Sequence, residues 1–144
     1  MELGIGVAVV LASLIAWVGQ ILSFFDPQTA AKFGVCEREG ELDESMFIIE
    51  TKAMGLTDTL LLWTLPLSAL LMILDVRYWP VLALIGSGIY AYLSGVFMLN
   101  RVYLKKHGKL VGSPSSERTA YVFGFAWILS AAAMAVLAVR EIYS

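Results

Sequence analysis

Four long stretches without a single charge constrain this chain more than any other feature. Leu3 to Phe25, Thr59 to Leu74, Pro80 to Asn100 and Thr119 to Val139 contain no Asp, Glu, Lys, Arg or His. A helix needs about 20 mostly apolar residues to cross a bilayer. Hydrocarbon offers no partner to backbone N–H and C=O groups, so each stretch must satisfy its own, which selects helix. The chain has 144 residues, 59% hydrophobic and 15% charged, against roughly 45–50% and about 25% in a soluble domain. The expected fold is therefore all-α: an integral membrane antiparallel four-helix bundle forming a single domain over 1–144. Its spans are expected at about 3–25, 56–74, 80–100 and 119–139, with a cytoplasmic loop over 26–55.

A secretory signal would need a basic start, a shorter apolar core and a small-residue cleavage site, whereas only Glu2 flanks the first stretch. It is expected to remain as a span. Orientation follows from the basic residues. Lys32, Arg38, Lys52, Arg101, Lys105, Lys106, Lys109 and Arg118 lie on one side, and only Arg77 and Arg140 on the other. The positive-inside rule then puts both long loops in the cytoplasm and both termini outside, in the cell (inner) membrane. The net charge of −2 identifies no partner, because acids crowd one loop and bases the other. Cys36 is the only cysteine, so no intrachain disulfide can form.

The loops carry helix punctuation. In DPQTAAKFG, Asp26 suits a cap, Pro27 a first helical position and Gly34 a stop, which predicts a short interfacial helix. CEREGELDE reads as a solvated acidic turn, after which Asp43 caps a helix leading into span two. Pro66 removes a backbone donor and crowds the carbonyl of Leu62, so span two should bend there, provided that a neighbour satisfies the freed group. DVRYWP allows only a tight hairpin, with Tyr78 and Trp79 at the outer interface, and Ser113 with Pro114 suits the start of span four. Small residues recur every fourth position, as Gly4, Ala8, Ala12 and Ala16 and as Ala83, Ser87, Ala91 and Gly95, which predicts close helix contacts.

Counted inward from the cytoplasmic ends, Trp17, Trp63, Tyr92 and Trp127 reach a common level, about 10–12 Å deep at 1.5 Å per residue. Such a layer can wall a pocket for a lipid- or quinone-like molecule, or it can simply fill the core. Nearer the inner surface come Gln20, Glu50, Thr57, Asp58, Thr59, Asn100 and Arg101. A carboxylate amid lipid is costly, so Asp58 must be shallow, paired or protonated, and Arg101 is the expected partner. Glu50 lies on a helical face about 80° away from Asp58. The candidate ligand-binding set is Trp17, Trp63, Tyr92, Trp127, Asp58, Arg101, Glu50 and Gln20, with no catalytic or metal-binding residue. His107 is the one histidine and lies in a basic loop, which excludes bis-histidine haem ligation within the chain and leaves Ser/His/Asp catalysis without a geometry.

FFDPQTAAKFGV followed by IETKAMGL resembles the small four-span DoxX-like membrane proteins of prokaryotes. Phe25 and Pro27 with Gly34 match the end of their first span, and Lys52 with Gly55 the start of their second. The resemblance implies a four-helix bundle and, for some members, association with membrane redox or quinone-linked systems; it supplies no catalytic residue. The resulting expectation is a non-catalytic ligand-binding or accessory protein with bound lipid or quinone and no intrinsic cofactor. Any enzymatic role would be as part of a membrane redox complex. The alternatives are a structural subunit of a larger membrane complex and a small proton-coupled transporter. Expected partners are membrane lipid, further copies or other membrane subunits, and no nucleic acid.

Overall fold

The computed structural model describes residues 2–144. The regular structure of the described residues is all helix, apart from one isolated bridge between Leu42 and Val111. Helix α1 spans Glu2–Phe25 and gives way to the short α2, Pro27–Lys32. The Asp26 carboxylate accepts from the Thr29 amide at 3.0 Å, Pro27 opens α2, and Gly34, at φ 70°, turns the chain after it. Hydrogen bonds from Thr29 hold the Asp26 carboxyl below its ordinary range.

The second helical run starts at Glu44, directly after Asp43 as expected, and continues to Ile73, so the apolar stretch expected to span from about residue 56 is its later part. It comprises α3 (Glu44–Ile48), a π-helical turn (Ile49–Met54), α4 (Gly55–Leu61) and α5 (Thr64–Ile73). Asp43 precedes it but makes no side-chain cap bond; its carboxylate lies 3.1 Å from Lys109 Nζ, and that hydrogen bond holds it below the usual carboxylate range. The run breaks at Leu62–Trp63, one turn before Pro66, as expected from the missing N–H. The donor that compensates is Tyr90, whose hydroxyl lies 3.0 Å from the Leu62 carbonyl and 2.9 Å from that of Ser13. Helix α6 covers Trp79–Lys106 and α7 covers Pro114–Ile142, where the Ser113 hydroxyl accepts from the Ser116 amide as the expected cap.

Among the described residues, four runs, Leu3–Phe25, Glu44–Ile73, Trp79–Lys106 and Pro114–Ile142, are long and apolar enough to cross a membrane, so length and composition mark the chain as a multi-pass membrane protein. Helix α6 lies along α7, α1 packs on α4 and α5, and α5 packs on α6. Glycines set the closest approaches. A Cβ on Gly86 would meet the backbone nitrogen of Leu65 at 2.8 Å, and one on Gly124 would meet Met98 Sδ at 2.7 Å.

The small-residue stripes are displaced from their expected register. On α1 the buried face is Gly6, Val9, Ser13 and Ala16, while Gly4 and Ala8 are exposed. On α6, Ala83 and Ser87 are buried as expected, but Ala91 is exposed, and Tyr90 and Ser94 continue the inward face. Bulky inward residues interleave with the small ones, so a strict four-residue count drifts off the contact face. Trp79 departs too: it is buried in the core, and of the two aromatics Tyr78 is the exposed one.

Candidate functional site

Arg101 is the largest fully buried side chain among the described residues, 1% exposed near the C-terminal end of α6. Its expected partner was Asp58; the structure gives it two others. Nη1 donates to Glu50 Oε1 at 2.8 Å, and Nη2 donates to Glu37 Oε1 at 2.8 Å and to Glu50 Oε2 at 3.2 Å. Nη1 also reaches the Phe97 carbonyl at 3.3 Å, and the guanidinium stacks 3.9 Å from the centre of the Phe97 ring. Ser116 at the start of α7 donates to Glu37 Oε1 at 2.8 Å. One cation thus ties the first loop, the π turn, α6 and α7 together. The planar fork of arginine suits this, since it can serve two carboxylates at once.

Sequence reasoning missed Glu37. The acidic segment around it reads as solvated, yet Glu37 is 7% exposed and folded back into the helices. What draws it in is the chain on either side: Val35 leans on Gly19, Leu42 is buried, and the bridge to Val111 pins the first loop to the third. The Asp43 amide donates to the Leu110 carbonyl and the Gly112 amide to that of Glu41, completing the clamp. Glu50 is placed by the π turn. A π bulge adds about one residue to a turn, about 100° of rotation, which offsets the 80° that an α-helix would put between Glu50 and Asp58. Both side chains therefore reach the interior.

Asp58 is 2% exposed, and its Oδ1 has no hydrogen-bond partner among the described residues. It borders a chamber of about 30 Å³ shared with Gln20, Leu62, Tyr90, Ser94 and Trp127. A second chamber of about 30 Å³ adjoins it, lined by Ser23, Glu37, Glu50 and Thr51, with Gln20, Met54 and Phe97 common to both.

The four-ring layer divides. Trp17 and Trp127 face inward and bond between helices: Trp17 Nε1 donates to the Thr59 carbonyl at 2.9 Å, and Trp127 Nε1 to the Ala12 carbonyl at 3.0 Å. Tyr92 is 71% exposed and Trp63 39% exposed, its Nε1 bonded within its own helix to Leu60. Neither walls a cavity. Tyr90, two residues from Tyr92, takes the inward place. A detectable signal existed, because Tyr90 shares a helical face with Ala83, Ser87 and Ser94, and the Leu62 carbonyl freed by Pro66 requires a donor.

Between α1 and α7 lies a cleft of about 710 Å³. Along α7 its lining runs from Ser115, Ser116 and Thr119 to Phe123 and Trp127. On α1, Gln20 lies nearer the polar end and Ile15 nearer the aromatic end, and Phe97 of α6 borders it as well. The segment from Phe33 to Arg38, together with Glu41, edges the polar mouth. Cys36 belongs to that edge; its thiol lies 3.4 Å from the Pro27 carbonyl, and burial pushes it up to about 11. Of the candidate residues, the structure brings together Glu50 with Arg101, and Gln20 with Asp58 and Trp127. Gln20 and Trp127 also line the cleft. Where the end of α1 meets the second run, Lys52 Nζ donates to the Phe24 carbonyl at 3.0 Å, and Gly55 packs against Phe24.

No protein-family model matches the chain, and no curated protein and no solved structure shows significant similarity to it.

Proposed function

We propose that this chain is a non-catalytic protein of the cell (inner) membrane, its four runs packed as an antiparallel bundle with both termini outside, and that it binds an apolar ligand with a polar head between α1 and α7. The observation that carries this reading is the graded cleft. Its volume of about 710 Å³ falls within the range of about 300–1,000 Å³ usual for ligand sites. From Ser115 to Trp127 its lining passes from hydroxyls and charges to aromatic rings over about 18 Å of helix. An amphipathic molecule of the lipid or quinone class has that same polarity along its length. The bundle arrangement is supported by the interhelical bonds of Trp17, Tyr90 and Trp127, which lock α1, α6 and α7 to their neighbours. The eight basic residues on one side support the orientation. The local DoxX-like resemblance is in keeping with a quinone-linked setting.

The test is mass spectrometry of small molecules retained by the protein in mild detergent, compared with Thr119→Trp, an exposed cleft position where a large ring obstructs the site. One lipid or quinone class retained stoichiometrically by the natural chain and lost from the variant supports the proposal. Equal retention by both, or copurification of foreign polypeptides without ligand, overturns it, and the second result favours a structural subunit.

A further inference from the structure

We propose that Asp58 is a proton-binding site: a neutral carboxylic acid held among the helices that exchanges its proton with the cleft through water-sized chambers. Asp58 is 2% exposed, and among the described residues Oδ1 has no hydrogen-bond partner and no cation pairs with the carboxyl. An ionised carboxylate buried without a partner is so unfavourable that such a group neutralises instead. The groups facing it from each packed element leave that conclusion intact. Helix α1 offers Gln20, which is uncharged, and α7 offers Trp127, whose N–H is committed to Ala12. Helix α6 offers Ser94 and Tyr90, and the hydroxyl proton of Tyr90 is engaged by two carbonyls. The nearest ionisable groups of the adjoining chamber, Glu50 and Glu37, are acids already held by Arg101.

The route is set by shared walls. Gln20 and Phe97 line the Asp58 chamber, the Glu37–Glu50 chamber and the cleft alike. Each chamber, at about 30 Å³, has room for roughly one water with polar partners at hand. The carboxyl O–H gives its proton to that water, leaving carboxylate and a protonated water, and the reverse step restores the acid. No other reactant is needed. The inference goes beyond ligand binding, for it stands even if the cleft takes only water.

The experiment is infrared spectroscopy of the full chain, with aspartate labelled at its side-chain carboxyl carbon with carbon-13. The chain has aspartates only at 26, 43, 58 and 75; Asp26 and Asp75 are exposed and Asp43 is paired with Lys109, which leaves Asp58 as the buried one without a cation. The expected result is an isotope-sensitive carboxylic-acid C=O band at neutral pH that shifts in D2O, persists in Glu50→Gln and disappears in Asp58→Asn. The D2O shift should slow several-fold in Gln20→Leu. Absence of an isotope-sensitive acid band in the natural chain overturns the proposal without relying on any variant. A band that survives Asp58→Asn, or that never shifts in D2O, also overturns it. Ligand retention reports on the cleft and this band on Asp58, so the two proposals fail separately.

Discussion

Cys36 shows how a single side chain is governed by its surroundings. It is half-buried within the first loop, and burial pushes its thiol up to about 11 by disfavouring the thiolate. The thiolate is the reacting species, so an impermeant maleimide should label folded protein far more slowly than unfolded protein near neutral pH, with the rate climbing as pH approaches 11. Mass spectrometry of the labelled chain checks this, and equal rates in the two states would contradict it. The linkage has a definite sign. A thiol raised from its ordinary 9.0 contributes stability below that value, and the contribution is lost as pH rises towards 11. Some of this scale was legible in sequence: the roles of Asp26, Pro27 and Ser113 follow from rules that act over a few residues. Glu37 was not legible, because the loop clamp that buries it and its partner Arg101, 64 positions away, are both remote in sequence.

At the scale of elements, the apolar stretches announced the helices, and Pro66 announced the break in the second. Which face each helix buries was harder to read. Small residues mark contact faces only where a partner comes close, and Gly86 and Gly88 on the same helix show the difference. A Cβ at Gly86 would stand 2.8 Å from the Leu65 nitrogen, while at Gly88 it would meet nothing within 4 Å. Gly86→Ala should therefore destabilise the protein by about 1–3 kcal/mol through overpacking, whereas Gly88→Ala should be neutral or slightly stabilising. Thermal unfolding of both variants in the same detergent checks the contrast. The π turn is the element that sequence could not supply. Nothing in IETKAM distinguishes it from α-helix, and yet it turns Glu50 towards Arg101 without displacing Asp58 from the interior.

Over the whole molecule, one buried cation joins segments that the chain keeps far apart. Replacing Arg101 with Met would leave Glu37 and Glu50 without their partner and should cost about 3–5 kcal/mol, more than replacing any exposed pair. The Lys105–Glu117 bridge, with Lys105 62% exposed, is such a pair, screened by water and adding little to stability. Thermal melts of Arg101→Met and Lys105→Met compare the two directly. The same node braces one end of the cleft, since Glu37 and Ser116 line its polar mouth. The account therefore turns on whether that cleft is a selective site or ordinary lipid-facing surface. Photo-crosslinking from a benzophenone amino acid decides this, placed at Phe123 inside the cleft and at Leu129, which is 69% exposed on the same helix. The account predicts one molecular class captured at 123 and the bulk lipid mixture captured at 129. The same mixture at both positions would contradict it.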